Sequence, residues 1–480
     1  MRNFLLLIFL VFLADFATAQ TGILYQYPHV SENYKLGVGS YGRIGTNWNF
    51  VEGGAVGRRL NLNNMGSIGG RMEEQDYLEL GTIFQMSPFK NADSTVINVQ
   101  LRASVFSRSL SLFANSNTSS AGGLTIALPE MFVEAQNILT PGLNLWVGAR
   151  LYRGPDLHMA DHWYFNDHSG QGFGIEYKNT RLHYNAVSTT DTSSNVPPYF
   201  YINIKTGTPS LELRERSVFS IEHDIWSGNE QMITLLGEYH LMGNPEGATP
   251  DTTDLVVSYP ADYGWVLGIR HQSNQISNWN WLQEGSFNSF SVRYGARLAN
   301  GGDGGSSRTW ETFGAPNFTT NDFSKAYSIK IVEHFLFNMS QKFSLNGYFI
   351  YAQSRGAADT EGISDTYFGR EVFNRKEDFT IGFKGVNYIS DLFHWQTELH
   401  YSQRKDGNQP WYNMTKISII PTLAIRGERS VWSRPHLRFV FSAARYNDFA
   451  RDNLYSPYLQ LAGPESWGFY TGIKAEWWTW

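Results

Sequence analysis

The residues best equipped for chemistry sit close together. From Leu145 the chain reads as a strand. It then passes into Asp156-Leu-His-Met-Ala-Asp-His-Trp-Tyr-Phe-Asn-Asp-His168, dense in carboxylates, imidazoles and rings. His158, Asp161, His162 and His168 invite a metal ion. Their spacing does not put them on one face of a helix, and the chain has no cysteine to join them. Loop hydrogen bonding is the better reading, and no cofactor is expected. Glu222-His223 and Glu333-His334 are isolated pairs, and no G-x-S-x-G elbow accompanies them, which argues against an enzyme. The remaining chemistry is aromatic. With 15 Trp, 26 Tyr and 32 Phe, the chain is rich in rings for a mean hydropathy of −0.33. Rings in such numbers serve either as girdles at a membrane interface or as stacking surfaces for a flat ligand.

The elements that would position these groups are strands. Val96 to Phe106 alternates, with Ile97, Val99, Leu101, Ala103 and Val105 on one face and Asn98, Gln100, Arg102 and Ser104 on the other. Leu36 to Phe50 alternates in the same way. Asp76 to Phe84 turns Leu78, Leu80 and Phe84 outward against Tyr77 and Glu79. Leu145, Val147, Ala149 and Leu151 oppose Trp146, Gly148, Arg150 and Tyr152. The polar face carries Arg, Glu, Tyr and Trp, which suits a wet lumen. Alternation alone leaves a secreted sandwich or propeller open. Loops rich in Gly, Ser, Thr and Asn are expected at 114–124, 188–198, 243–254, 299–321 and 356–365.

The two ends favour a membrane barrel. Phe4 to Leu13 is apolar and Ala17-Thr18-Ala19 is an A-x-A site, so residues 1–19 are expected to be a cleaved signal peptide and 20–480 one barrel domain. No later run is long enough for a transmembrane helix. The chain closes on a strand, Gly472-Ile-Lys-Ala-Glu-Trp-Trp-Thr-Trp480, that must pair with the first strand to leave no open edge in lipid. Its alternation puts Trp477 toward lipid and Trp478 toward the channel, with Trp480 as the terminal aromatic. A net charge of −6 without long charge runs argues against nucleic acid as a partner. The expectation is an all-β, antiparallel transmembrane barrel of roughly 16–20 strands in the outer membrane, with the membrane lipid around it.

Several segments resemble the maltoporin family of sugar-specific outer-membrane porins. Leu145 to Gly174 is similar to its third strand-and-loop region, with a W-x-G…R-x-Y…D-x-H-M-x-D…Y pattern. Ser430-Val-Trp-Ser-Arg-Pro-His-Leu-Arg438 is similar to its W-S-R-P motif. Tyr41-Gly-Arg-Ile-Gly-Thr-Asn-Trp48 and Tyr77-Leu-Glu-Leu-Gly81 are similar to its first and a later strand. Residues 179–416 match only loosely. The resemblance implies an eighteen-stranded homotrimeric barrel whose third loop folds inward. It also implies a slide of aromatics for the apolar ring faces of an oligosaccharide, flanked by charged groups for its hydroxyls.

Carried over residue by residue, the resemblance gives Tyr41, Tyr77, Trp432 and Trp478 as slide aromatics and Trp163 as the third-loop ring at the constriction. Arg43, Arg71, Glu79 and Asp161 fall on its polar track; Arg71 needs a short gap in the alignment. Two family arginines are replaced by Val133 and Gly154, and Arg150 or Arg153 is the candidate for the lost charge. The slide tryptophan lent by a neighbouring subunit has no counterpart, Phe113 being the nearest aromatic, and a mid-chain phenylalanine falls near Met232. These departures leave the sugar open. A barrel that holds surface polysaccharide without transport, in the manner of a lectin, is the alternative.

Overall fold

The computed structural model describes residues 26–31, 34–48, 58–87, 94–107, 124–187, 201–202, 209–210, 216–227, 230–243, 260–274, 281–301, 312–317, 319–359, 361, 364–367 and 370–479. Eighteen strands form one closed antiparallel ring. In chain order they are β1 (Tyr34–Trp48), β2 (Tyr77–Met86), β3 (Val96–Ser107), β4 (Leu124–Gln136), β5 (Leu143–Arg150) and β6 (Gly170–Tyr177). Then come β7 (Thr180–Val187), β8 (Arg216–Ser227), β9 (Gln231–Met242), β10 (Asp262–Ser273), β11 (Phe287–Arg297) and β12 (Tyr327–Ser340). The ring is completed by β13 (Phe343–Arg355), β14 (Arg375–Tyr388), β15 (Phe393–Asp406), β16 (Tyr412–Ala424), β17 (His436–Tyr446) and β18 (Trp467–Trp478). Each strand pairs with its sequence neighbour, and β18 returns to β1 from Tyr41↔Trp478 to Trp48↔Thr471. A short strand, Gln26–Ser31, occupies the edge of β1 beyond the end of β18. Among the described residues no helix is long and apolar enough to cross a membrane.

The strands are inside-out relative to those of a soluble sheet. On β9, Thr234, Glu238 and His240 are buried, whereas Leu235 and Tyr239 are more than two-fifths exposed. The same inversion runs round the ring, as lipid outside and an ion-paired interior require. Tight turns such as Lys178-Asn179 lie at one rim and the longer loops at the other. Most of the expected loop residues 114–124, 188–198 and 243–254 fall outside the described residues, as do 1–25 and Trp480.

Two of the longer connections do not stay at the rim. The described part of the β1–β2 connection enters the lumen. Leu60, Leu62, Met65, Ile68 and Met72 are buried there in one apolar cluster with Tyr348, Tyr412, Met414, Val440 and Tyr446 of the β13–β17 wall. Gly69 and Gly70 adopt φ of 99° and 105° where the backbone runs against Ser402 and His400, leaving no space for a side chain. Lys416 ties the segment down through Asn61 Oδ1 (2.7 Å) and Glu73 (2.8 Å). The β5–β6 connection, the third of the long loops, also folds inward, as expected. Its Leu157, Met159, Tyr164 and Phe165 join the same cluster, and Tyr164 bonds Ser289 on β11.

Apart from an irregularity at the β12–β13 turn, one strand breaks the alternation in mid-course. On β4 the pairing with β3 shifts between Arg102↔Glu130 and Ser104↔Ala127, beside Pro129. Proline donates no ladder hydrogen bond and is tolerated at such a bulge. The extra residue changes parity, so Met131 and Val133 face outward while Glu130, Phe132 and Glu134 face in. Val133 therefore has no place on a polar track in the lumen.

At the closing seam Gly42 lies under the indole of Trp477, whose Nε1 donates to Ser40 Oγ at 3.1 Å. Any side chain at Gly42 would collide with that ring. Gly42→Leu is expected to cost about 1–3 kcal/mol of overpacking at the point where the ring closes. The measurable result is a lower temperature for loss of the compact, heat-modifiable band on gels. An unchanged temperature would mean that Trp477 moves freely.

Candidate functional site

The two inserted loops meet the closing seam at one point in the lumen. Alternation on β18 turns Lys474, Glu476 and Trp478 inward, and Glu476 is fully buried. Its carboxylate accepts from Arg434 Nε (2.9 Å) and from Arg71 Nη2 and the Tyr41 hydroxyl (both 3.1 Å), and pairs with Arg438 Nη2 and His436 Nε2 (both 3.2 Å). Arg71 comes from the β1–β2 loop. It also donates to Tyr41 (2.8 Å) and to Glu74 (3.0 Å), and lies 2.8 Å from His158 at the tip of the third loop. Arg43 closes the network through Glu74 at 2.8 Å. Two strands, two loops and the turn before β17 are thus locked to a single carboxylate.

The loop groups feel this surrounding. Burial opposes ionisation of Glu74, but Arg43 and Arg71 outweigh it and hold the carboxyl down at about 2. Burial pushes Asp156 up to about 8, reinforced by Asp161 and opposed by Arg71 and Arg153. Burial also raises Asp161, with Glu74 acting in the same direction. Burial and the neighbouring Arg71 keep His158 well below the usual histidine range, and hence neutral.

The aromatics line the wall beside this hub. Tyr77 on β2 and Tyr41 on β1 have ring centroids 5.8 Å apart, and the Arg43 guanidinium lies 5.2 Å from the Tyr77 ring. Across the seam from Tyr41 stands Trp478, with Arg434 over its ring at 4.3 Å. His158 sits between Trp478 (5.6 Å) and Trp432 (6.0 Å). All four of these aromatics are partly exposed. The hairpin Asp156–Leu157 with His162–Trp163 carries Trp163, whose ring lies 4.3 Å from the Arg153 guanidinium.

The charged candidates do not gather in one place. Arg43, Arg71 and Asp161 gather at the hub. Glu79 does not pair with Arg43, because the β1–β2 loop brings Glu74 to Arg43. Glu79 instead binds Arg102 (3.0 Å) and accepts from Tyr77. Arg150 is buried in a separate cluster, paired to Glu134 (3.3 Å) and boxed by Phe132, Trp146 and Tyr152. Arg153 keeps 29% of its side chain exposed and is the cation next to the missing one. Gly154 accommodates no arginine, because Asn166 fills the space a side chain would need.

Met232 is buried and pairs across strands with Trp226. Glu222 and Glu333 face away from His223 and His334, as neighbours on a strand must, so neither pair forms a dyad. His168 instead bonds Glu238 at 3.1 Å. Among the described residues no group of three His, Asp or Glu is arranged to hold a metal ion. Sequence reasoning missed Glu74, Arg434, Arg438 and the joint role of Glu476. The inward parity of Glu476 was visible, but its partners come from segments without periodicity.

A closed inside-out sheet with two loops folded into its lumen is the architecture of an outer-membrane barrel. The LamB porin family model matches residues 36–478, nearly the whole chain, so the chain belongs to the LamB porin family. Among solved structures it is similar to the Escherichia coli carbohydrate-binding barrel Wzi, with 11% identity over 91% of this chain and 83% of that one and a TM-score of 0.41. It is also similar to Salmonella typhi OmpF in complex with daunomycin, with 8% identity over 95% and 100% and a TM-score of 0.39. The Acinetobacter baumannii channel DcaP matches at 9% identity over 93% and 98%, with a TM-score of 0.36. At that distance these likenesses have no bearing on function.

Two outcomes are expected. Glu476→Gln leaves Arg71, Arg434 and Arg438 without their shared counter-charge, and should cost roughly 3–5 kcal/mol, read as a lower urea midpoint. A midpoint equal to wild type would remove Glu476 from its central place. Between pH 6 and 9, ionisation of Asp156 adds negative charge in the lumen. The reversal potential across a KCl gradient should move toward cation selectivity, and Asp156→Asn should reduce that movement.

Proposed function

We propose that this porin is sugar-selective and gives passive passage to oligosaccharides along Tyr77, Tyr41, Trp478 and Trp432, with Trp163 at the constriction. The observation that carries the reading is the Tyr77–Tyr41 pair, 5.8 Å apart on adjacent strands and partly exposed beside Arg43 and Glu79. A pyranose has an apolar C–H face and a rim of hydroxyls. Ring faces bind the first without fixing one register, and charged groups exchange hydrogen bonds with the second. Each contact is worth about 1 kcal/mol, so a series of them retains a sugar without trapping it. Arg43, Arg153, Glu79 and Asp161 are the rim-binding groups. Arg71 is too buried for that role and instead positions Tyr41. Arg150 acts within the wall. The family supports a homotrimer, and residues 1–19 are read as a cleaved signal peptide.

Reconstitution in a planar bilayer with maltohexaose, cellohexaose and a branched glucan tests the reading. At least one should block the current, and Tyr41→Ala or Trp478→Ala should raise the half-blocking concentration about tenfold, the loss of ~1.4 kcal/mol. Steady conductance with every sugar would leave a general porin. Polymer binding without conductance would favour the lectin-like barrel.

A further inference from the structure

The aromatic line does not stop at Tyr77. Phe106 on β3 is the direct cross-strand partner of Tyr77, and their rings lie 6.2 Å apart and 29° from parallel. The parity of β3 turns Phe106 into the lumen, because Arg102 and Ser104 are buried on the same face. At 6.2 Å the rings are offset, and both remain partly exposed. From Tyr41 the line thus climbs one strand at a time, through β1, β2 and β3. It reaches Phe106 at the end of β3 that opens onto the long-loop rim. Glu79 and Arg102 pair directly beneath it, so hydroxyl partners flank this upper step as they flank the lower one.

We infer that Phe106 is a further specificity-determining residue. It is the outermost ring of the path among the described residues, and the first on which a sugar arriving from the long-loop side stacks. The inference rests on the sugar-porin reading. It adds a binding step built within one chain, supplied by a phenyl ring with no hydroxyl of its own. That step favours sugars whose outer ring presents an unsubstituted C–H face.

The experiment is sugar block of single channels with the hexasaccharide that blocks wild type best, added to either side in turn. Phe106→Ala should raise the half-blocking concentration five- to tenfold. The on-rate should fall more from the long-loop side than from the turn side. Phe106→Leu, which keeps bulk but not the ring face, should behave like Phe106→Ala, and Phe106→Trp should match or exceed wild type. Unchanged single-channel conductance in Phe106→Leu confirms that the barrel is intact. If no sugar blocks wild type, the sugar-porin reading itself falls. If wild type is blocked and Tyr77→Ala weakens block, but both Phe106→Ala and Phe106→Leu stay within twofold of wild type, this inference alone is overturned. Full retention of block by Phe106→Leu, or an equal fall from both sides, also overturns it.

Discussion

The structure depends on the closure of the sheet between β1 and β18. In lipid no backbone group can stay unpaired, so the first and last strands must find each other across the whole chain. Closure is reinforced on both faces of the seam. Outside, the Trp477 indole lies over Gly42 and bonds Ser40. Inside, Glu476 gathers Arg71, Arg434 and Arg438 about a single carboxylate. The seam is also where the lumen is furnished. The loop bearing Arg71, the loop bearing His158 and the turn bearing Trp432 are held by the residues that close the ring.

This arrangement explains why the aromatic line and the charge cluster lie together. A buried guanidinium is tolerated only with partners that satisfy its fork of donors. The β1–β2 loop supplies Glu74 and the seam supplies Glu476. Tyr41 is fixed as a by-product, its hydroxyl donating to Glu476 and accepting from Arg71. A ring held in that way presents its face in one orientation, which is what a stacking surface requires. Arg43 and Arg153 lean over Tyr77 and Trp163 and keep part of their surface exposed.

Much of the wall was legible in the sequence because a period of two has only two phases. Tyr41, Tyr77, Glu79, Lys474 and Trp478 were placed on the inner face by counting alone, and they are there. Counting failed where the period is broken. The bulge at Pro129 turns Val133 to the outside; the proline marks where the ladder is open to a break, but the alternation on either side does not show the phase change. The inserted loops were legible only in part. The third loop has a recognisable motif, whereas Leu60 to Met72 is interrupted by Gly66, Gly69 and Gly70 and sustains neither strand nor helical spacing, so its burial against β13–β17 had no clear signal. The pairing of Arg43 with Glu74 depends on that loop and had no signal either. Phe106 had a signal, since Arg102 and Ser104 fix its parity, but it lies at a strand end where the pattern runs out.

The burial of the β1–β2 loop against β13–β17 divides the lumen by task. The wall that holds the loop is apolar and closely packed, so almost any substitution there disturbs a core of the kind found in soluble proteins. Among the described residues, Tyr77 and Phe106 belong to no such core. On the proposed reading, a change of ring there would alter what passes while leaving that packed core untouched. On that reading the upper end of the aromatic line is open to variation at small structural risk, since Tyr77 and Phe106 lie on a different arc of the circle from the β13–β17 core, whereas Tyr41 and Trp478 are bound up with closure itself.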